Sequence, residues 1–579
     1  MKLKQLSMAL LAIGAGAGLA TNAMAKSIFE DIEGQWYESE VEASRGWGFT
    51  YLPTTPEEGV LFVTGYVYDA AGNPIWTAGN SPVIDGDFAV DIELLAFSGG
   101  TFGPEAGSPV RDDDPFGTMG VEFHSASEAT FSFSGIEGVA DFEADFVPLK
   151  TITGVPIDSP YQKAFESCPE GTSEIAERTC QLSGVYTQDL TLTNDAIYVI
   201  SGGVFIGEKA DIGDPVPTDG PVLTIEPGTR IIGSGGSNNA LYIQRGSKII
   251  ADGLPNAPIV MTGATTASEG ATSGQWGGLV INGAAPLNTC TDGVCEAVGE
   301  GDSGAYGGDN PEDDSGILRY VRVQFAGERI NDEDELNGIA FQGVGNKTIV
   351  DYIQVHRNAD DGIEFYGGTV NAKHLVLTDI EDDSVDWTQG WQGKLQYVLV
   401  KQIQDETVDT DRGMELDNLE QDNDAQPRSG GIMANFTLLG KAGELGINPR
   451  RGTAGRFSNF LVVDFDRCLD IDSSATFAVA DAGELTFENT LFDCVTNIVE
   501  NDEDTPDPWS TIAWFNEQPG NSEASVTIDG LVPSDPMYLS GYPLDATVYD
   551  DFFDKTDYIG AFKSNEAAWT KGWTEFLND

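Results

Sequence analysis

Short strands in which apolar and polar residues alternate recur at a fixed spacing in the middle of the chain. Ile353 and Leu375 occupy equivalent positions in two such strands (375 − 353 = 22), and Tyr397 follows at the same offset (397 − 375 = 22). Turns rich in Asp and Gly separate the strands. A short repeat of this kind is typical of a β-solenoid, in which each coil buries its apolar face only by stacking on its neighbours. The pattern therefore predicts stacked coils of 22 residues.

A second strand of the same repeat carries an acidic residue between two apolar residues. In 363–365 the two apolar residues share one face by the two-residue period of a strand, so we expect Glu364 to point outward. The pattern recurs around Asp386 (386 − 364 = 22) and Glu415 (415 − 386 = 29). Because neighbouring strands lie about 4.8 Å apart, these carboxylates are predicted to form a ladder on the outer face of one sheet. Stacked like charges are destabilising, so the ladder suggests a bound cation.

Less regular repeats extend the predicted solenoid in both directions. Ile225 and Ile243 begin two similar segments (243 − 225 = 18), and strand patterns resume from Leu318 after an insertion at 284–314 that is rich in Gly and Asp. These segments predict one continuous solenoid over about 183–500. The aromatic-rich residues 501–579 are expected to form the cap that the open end of a solenoid requires.

The residues before the solenoid follow other patterns. A basic start, an apolar run and an A-x-A motif predict a secretory signal peptide over 1–25. Short alternating strands with turn residues predict an antiparallel β module over 26–150. Pro156 and Pro160 mark a junction over 151–182. Beyond the leader, no apolar run is long enough to span a bilayer, so no membrane span is expected.

Two resemblances to known families support this organisation. The Y-x-Y-D-x-x-G-x-P-x-W segment at 66–76 and the S-G-G-x-F-G segment at 98–103 resemble a small all-β module of secreted proteobacterial proteins. About residues 183–579 resemble a family of secreted bacterial right-handed parallel β-helix proteins, some of them lipoproteins. That resemblance is carried by the motifs at 277–283, 316–322, 335–338, 360–370 and 571–573. It implies an all-β fold, a right-handed parallel β-helix preceded by a small antiparallel β domain and followed by the aromatic-rich cap. It implies no particular activity.

The charge of the chain narrows the range of partners. The net charge is −64, from 30 basic and 94 acidic residues. Such a surface repels nucleic acid and anionic membranes, so neither is an expected partner. An acidic surface suited to salty water and a surface that binds cations both agree with this charge, and the two are compatible.

The six cysteines fall into three near pairs. Together with the predicted signal peptide they indicate an oxidising compartment, so a secreted or cell-surface location is expected, and the periplasm also agrees with the pattern. Six cysteines allow about 15 connectivities, and proximity alone favours one of them. The expected pairs are Cys168–Cys180, Cys290–Cys295 and Cys468–Cys494.

Acidic residues concentrate around the predicted ladder, which suggests calcium as the bound cation. Calcium takes about six to eight oxygen ligands in flexible geometry, and neighbouring coils can supply carboxylates and carbonyls at that density. The alternative is that these residues serve only as turn formers. The candidate calcium ligands are Asp360, Asp361, Glu364, Asp382, Asp383, Asp386, Asp409, Asp411, Glu415 and Asp417.

Two classes of function remain open from the sequence. The first is an exported, calcium-stabilised binding protein whose partner is a polysaccharide or an outer-membrane or other surface protein. The second, by analogy of fold alone, is a polysaccharide lyase or glycoside hydrolase that acts in the groove along the β-helix. In that case Arg450 or Arg451 would act as a base or bind a uronate carboxylate. Alternatively, Glu364, Asp383 and Asp386 would supply a glycosidase acid and base.

Overall fold

The computed structural model describes residues 34–148 and 165–575 with internal gaps. The gaps are 39–45, 54–57, 69–73, 85–88, 99–109, 112–114, 126–127, 137–140, 166, 177, 236–238, 266–270, 292, 332–333, 403–409, 501–504, 539–544 and 566. The predicted signal peptide, the start of the predicted junction and the candidate ligand Asp409 lie outside the described residues.

The N-terminal module is an antiparallel sheet. Its strands are β1 (Gly34–Glu38), β2 (Gly46–Pro53), β3 (Glu58–Tyr68), β4 (Pro74–Ile84), β5 (Ala89–Ser98), β6 (Val110–Arg111), β7 (Gly117–Ser125), β8 (Glu128–Ser134) and β9 (Phe142–Pro148). They lie in the order β4-β3-β2-β1-β9-β8-β7-β5-β6, and β4 also pairs with β5, which closes the sheet on itself. The enclosed core contains Trp36, Trp47 and a pair of stacked rings, Phe131 and Phe146, whose centroids are 4.1 Å apart.

The rest of the chain is dominated by a parallel β-helix of 26 described strands. They are β10 (Ser173–Ala176), β11 (Thr179–Tyr186), β12 (Leu190–Leu192), β13 (Ile197–Ile206), β14 (Val222–Ile225), β15 (Arg230–Gly233), β16 (Ala240–Ile243), β17 (Lys248–Asp252), β18 (Ile259–Thr262), β19 (Gly278–Asn282), β22 (Gly316–Gln324), β25 (Ile339–Gln342), β26 (Ile349–His356), β27 (Ile363–Tyr366), β28 (Asn371–Thr378), β29 (Val385–Thr388), β30 (Lys394–Lys401), β31 (Arg412–Leu416), β32 (Ile432–Leu439), β33 (Leu445–Pro449), β34 (Gly455–Val463), β35 (Arg467–Leu469), β36 (Leu485–Glu488), β37 (Leu491–Asp493), β38 (Thr496–Ile498) and β39 (Ser522–Glu523).

Shorter secondary-structure elements lie outside the main sheet of the β-helix. They are β20 (Glu296–Val298), β21 (Ala305–Gly307), β23 (Arg329–Asn331), β24 (Asp334–Glu335), β40 (Ile528–Asp529), β41 (Val532–Pro533), α1 (Ser474–Asp481), α2 (Thr511–Glu517) and 3-10 turns at Glu300–Asp302, Pro536–Tyr538 and Ala546–Val548. β10 pairs antiparallel with β11, and the coils that follow pair in parallel. The predicted all-β fold, a parallel β-helix preceded by a small antiparallel domain, is confirmed. No helix in the described residues is long and apolar enough to cross a membrane.

The coil lengths agree with the sequence repeat only in part. Ile353 pairs with Leu375, as the 22-residue repeat predicts, but Leu375 then pairs with Val398 and not with Tyr397. That coil therefore has 23 residues (398 − 375 = 23). Tyr397 instead occupies a left-handed backbone position, with φ of 63°, that the equivalent residue His374 also adopts, with φ of 53°.

The 18-residue offset upstream does not measure a coil. Ile225 pairs with Ala251, not with Ile243, so this coil has 26 residues (251 − 225 = 26). The two segments look alike because each contains a strand, a two-residue turn and another strand. They form successive corners of one coil, so the 18-residue offset is not the length of a coil.

Apolar side chains fill the interior of every coil. The inward rings of Phe341 and Phe365 stack with centroids 5.4 Å apart, and the next coil places Trp387 at the equivalent position. Trp387 is fully buried, and its indole Nε1 donates to Thr453 Oγ1 at 2.9 Å. Stacking like side chains on like positions gives one continuous core along the axis.

The C-terminal residues close the helix and then return along its flank. Phe515 of α2 stacks on Phe492, with ring centroids 4.7 Å apart, at the end of the core. Residues 545–575, here called the C-terminal strap, lie against the outer face of an earlier sheet. Two glutamine side chains hold the strap, and each both donates a hydrogen bond to its main chain and accepts one from it. Gln396 bonds to the N–H and C=O of Asp554, and Gln354 bonds to those of Glu575.

The three disulfides are those that proximity favours. Bonds join Cys168 to Cys180, Cys290 to Cys295 and Cys468 to Cys494, and no cysteine is free. The predicted pairing is therefore confirmed. Three disulfides indicate an extracellular or otherwise oxidising environment.

We expect Trp387→Ala to destabilise the protein by about 3–5 kcal/mol, because it opens a cavity in the stacked core and leaves the Thr453 hydroxyl without its indole donor. Val495→Ala is the matched control, since Val495 is 79% exposed and its truncation should change the free energy of unfolding by less than about 0.5 kcal/mol. Urea denaturation followed by circular dichroism measures both. Equal midpoints for the two variants would contradict the assigned core.

Candidate metal centre

A row of side chains on β25, β27, β29, β31 and β33 points away from the core. Strand register places Ala340, Glu364, Asp386, Glu415 and Asn448 at equivalent positions in successive coils. The arrangement of the three carboxylates as a ladder therefore follows the sequence repeat. They are not on an open surface, however, since Asp386 and Glu415 are only 8% and 7% exposed.

A second row lies beside this ladder, two residues before each inward apolar position. The same register aligns Asn337, Asp361, Asp383 and Arg412. Asp361 Oδ1 also accepts a hydrogen bond from the N–H of Asp383 at 3.0 Å, which ties one coil to the next. The centre thus has two acidic rows side by side, with an amide at one end of the second row and a guanidinium at the other.

Carboxylate oxygens from these rows and from the adjoining turns converge closely. Within the described residues, four groups each offer three oxygens that lie within 4.8 Å of one another. The groups are Asp360–Asp361–Asp382, Asp361–Glu364–Asp386, Asp382–Asp383–Asp411 and Asp383–Asp386–Glu415. Shared members make them one continuous cluster, here called the carboxylate cluster.

Two oxygens of the carboxylate cluster are buried and unsatisfied. Neither Asp383 Oδ1 nor Asp386 Oδ1 has a hydrogen-bond partner in the described part of the chain. Asp383 is 3% exposed and Asp386 is 8% exposed, so bulk water does not solvate these atoms freely. Buried polar atoms normally have partners, and an unsatisfied carboxylate oxygen is especially unfavourable.

Burial is the main cause that raises the pKa of these carboxyl groups. The pKa of Asp360 rises from 3.8 to about 7, first through burial and then through the neighbouring Asp382. Burial also raises the pKa of Asp386 well above 3.8, with Glu364 as the second cause. The pKa of Glu364 rises through burial first and the carboxylate of Glu300 second. Without a bound cation, the centre therefore favours protonated carboxyl groups.

Arginines neutralise the carboxylate at the Glu415 end of the ladder. Arg412 Nη1 lies 2.8 Å from Glu415 Oε2, and Arg450 also pairs with Glu415. Arg450 Nε and Arg451 Nη1 lie 2.8 Å and 2.7 Å from the carboxylate of Asp417. Arg450 and Arg451, the candidate bases, are therefore engaged in ion pairs, and Asp417 lies with them outside the carboxylate cluster.

Neutral side chains surround the Glu364 end of the ladder. Asn337 Nδ2 donates to Glu364 Oε2 at 2.8 Å and also lies 3.1 Å from the hydroxyl of Tyr366. The ring of Tyr306, from the insertion at 284–314, packs edge-on against Tyr366 with centroids 6.2 Å apart. The insertion therefore forms one wall of the centre.

Sequence reasoning missed Asn337, Tyr366 and Arg412, although a signal for Arg412 was present. The offset that relates Asp386 to Glu415 also relates Asp383 to Arg412 (412 − 383 = 29). Asn337 precedes Ile339 as Asp361 precedes Ile363. Extending the repeat to every position, and not only to acidic ones, would have placed both residues in the second row.

Comparison with known proteins bears on the fold. The family described as “Pectate-lyase like beta helix domain” matches residues 184–574. A search of curated proteins finds no significant match. Among solved structures, the catalytic unit of the thermostable GH87 alpha-1,3-glucanase from Streptomyces thermodiastaticus strain HF3-3 has 10% sequence identity and a TM-score of 0.26, covering 88% of this chain and 93% of that one. A likeness at that TM-score supports no conclusion about activity. The family match spans nearly the whole β-helix and the strap, so the chain belongs to the family of pectate-lyase-like β-helix domain proteins.

Proposed function

We propose that this chain is an exported, calcium-binding β-helix protein that holds a polysaccharide at the carboxylate cluster. The observation that carries the calcium proposal is the pair of buried, unsatisfied oxygens on Asp383 and Asp386, both within the cluster. A cation bound at Asp361, Glu364 and Asp386 supplies the partner that Asp386 Oδ1 lacks. It also offsets the repulsion between the stacked carboxylates.

The spacing and the chemistry of the ligands favour calcium over other metals. Calcium–oxygen distances are about 2.3–2.6 Å, so two oxygens on opposite sides of one ion lie about 4.6–5.2 Å apart. The oxygens of Asp361, Glu364 and Asp386 fall within 4.8 Å of one another, which suits one ion. Each of the four groups contains only Asp and Glu. Hard oxygen ligands suit calcium, whereas zinc and copper prefer nitrogen and sulfur.

The cluster is open on one side, which gives the ion access to an external ligand. Asp360 and Asp382 are half-buried, while Asp361 and Asp386 are buried. Calcium held by the deeper oxygens would direct its remaining coordination positions towards the half-buried side. Hydroxyl or carboxylate oxygens of a polysaccharide fit those positions. An oxygen-rich loop of an outer-membrane or other surface protein is the alternative partner.

Catalysis on a polysaccharide is the second candidate function. The observation in its favour is that burial, followed by the charge of Arg451, lowers the pKa of Arg450, which is the direction a base requires. The raised pKa of Asp383 and Asp386, caused first by burial, would likewise suit an acid. Against it, Arg450 is held by Glu415 and Asp417. Within each of the four groups the oxygens lie within 4.8 Å of one another, so a pair inside one group does not reach the about 6.5–9.5 Å that an inverting hydrolase needs.

We expect millimolar calcium to raise the melting temperature above its value in chelator. A ligand present at about 100 times its dissociation constant adds about 2.7 kcal/mol to the free energy of unfolding. Asp386→Asn should abolish this gain, because it removes a ligand shared by two of the oxygen groups. Asp557→Asn, at a carboxylate whose side chain is 72% exposed, is the matched control and should retain it.

Sodium at matched ionic strength separates coordination from screening in the same melting experiment. If calcium and sodium raise the melting temperature equally, the cluster is only a tolerated acidic face and the calcium proposal is wrong.

The calcium-free protein should lose stability as pH rises from about 4 to about 7. Asp360 keeps its proton up to a pKa of about 7 when folded but releases it near 3.8 when unfolded, so the folded state binds more protons across this window. Calcium requires ionised ligands and should therefore reduce or reverse the loss. Urea midpoints at a series of pH values, with calcium and with chelator, measure the effect. Asp360→Asn should flatten the profile in chelator, and an unchanged slope would contradict the assignment to this group.

A screen of purified protein on neutral and acidic polysaccharides tests the rival function. As a binding protein, it should retain polysaccharide in calcium and release it in chelator, without forming reducing ends or unsaturated uronates. Product formation that Asp383→Asn abolishes would replace the binding proposal with an enzymatic one.

A further inference from the structure

One guanidinium nitrogen sits where several carboxylates of the cluster meet. Arg412 Nη1 lies 2.6 Å from Asp411 Oδ2, 2.8 Å from Glu415 Oε2 and 3.5 Å from Asp383 Oδ2. These three carboxylates belong to two of the four oxygen groups. Convergence of three anionic oxygens from different residues on a single atom is the arrangement that a bound cation would produce.

The other end of the cluster has no such internal cation. In the described residues, no basic side chain forms an ion pair with Asp361, Glu364 or Asp386. Glu364 accepts a hydrogen bond from the neutral amide of Asn337 instead. Arginine thus neutralises carboxylates in one half of the cluster, whereas the half that contains Asp361, Glu364 and Asp386 has no ion pair with a basic side chain among the described residues.

Arg412 fills its position incompletely. Its Nε atom is buried and has no hydrogen-bond partner within the described residues. Asp383 Oδ1, on the same carboxylate that faces Nη1, is also buried without a partner. A guanidinium carries one positive charge, whereas a calcium ion in the same place would carry two and could bind oxygens on all sides. The guanidinium thus leaves hydrogen-bonding capacity unused on both sides of this contact, at its own Nε and at Asp383 Oδ1.

We infer that Arg412 is a built-in cation that blocks a second calcium site formed by Asp382, Asp383 and Asp411. The native protein then binds one calcium ion, at Asp361, Glu364 and Asp386, and removal of the guanidinium opens the second site. This inference rests on the proposed calcium function. It identifies the residue that sets the number of calcium ions bound per chain. Because the guanidinium is tethered to the chain, it competes with calcium at a high effective concentration and needs no ion from solution.

The test is the number of calcium ions bound per chain, measured by isothermal titration of calcium chloride into protein freed of metal. We expect one ion for the wild type and two for Arg412→Gln. Arg412→Lys keeps a positive charge and should bind one. Arg319→Gln is the matched control, since it removes an arginine that pairs with Asp252 on another strand, and it should also bind one.

The outcomes separate this inference from the proposed function. One ion in folded Arg412→Gln, or two in the wild type, would overturn the role of Arg412. No ion in the wild type would overturn the proposed calcium function, while a single ion gained by Arg412→Gln would still support the blocked site. If neither protein binds calcium, both proposals fail.

A structural measurement on the wild type avoids dependence on the folding of the variant. Crystals soaked in calcium should show one ion, between Asp361, Glu364 and Asp386, with Arg412 still bonded to Glu415. An ion among Asp382, Asp383 and Asp411, with Arg412 displaced, would show that the guanidinium does not block the site.

Discussion

Repulsion between stacked carboxylates is the constraint on which the centre depends. Parallel coils in register bring equivalent side chains to within about one strand spacing, about 4.8 Å, whatever their charge. Two like charges at about 4 Å repel by about 1 kcal/mol in water and by about 4 kcal/mol at an effective dielectric of 20. Several such contacts are large beside a typical net stability of about 5–15 kcal/mol. A β-helix can therefore keep an acidic ladder only if each charge is compensated locally.

The chain uses different compensation at different points along the ladder. Arg412 and Arg450 neutralise Glu415 at one end, and the amide of Asn337 bonds Glu364 at the other. Asp386 lies between them and has neither kind of partner for its Oδ1 in the described residues. Its charge can be relieved only by a proton, as its raised pKa shows, or by an external cation. The middle of the ladder is therefore where the proposed calcium ion would gain most.

The sequence was informative where one residue type repeated at one spacing. The ladder was predictable because Glu364, Asp386 and Glu415 each lie between two apolar residues and follow the coil repeat. The 23-residue coil was not, because its extra residue lies in the turn before β30, between the pairs Tyr366–Thr388 and Ala372–Leu395, and a turn leaves no mark in the apolar pattern.

Burial at the centre could not be predicted from the sequence either. It depends on the insertion that brings Tyr306 to the wall and on Arg450, which reaches Glu415 from the next coil. Such contacts between segments distant in the chain have no periodic signature. The positions of the ladder residues, and of Asn337 and Arg412 beside them, were thus foreseeable from the repeat, whereas the contacts of Tyr306 and Arg450 were not.

The C-terminal strap changes the mechanics of the whole β-helix. A solenoid in which each coil touches only its neighbours can fray from its ends one coil at a time. Here Gln354 bonds to the main chain of Glu575, 221 residues later, and Gln396 bonds to that of Asp554, 158 residues later. Coils in the middle of the helix are thereby joined to the last residues of the chain. Unwinding from the C-terminal end would require the strap to detach first, so these coils should open together, as one cooperative unit.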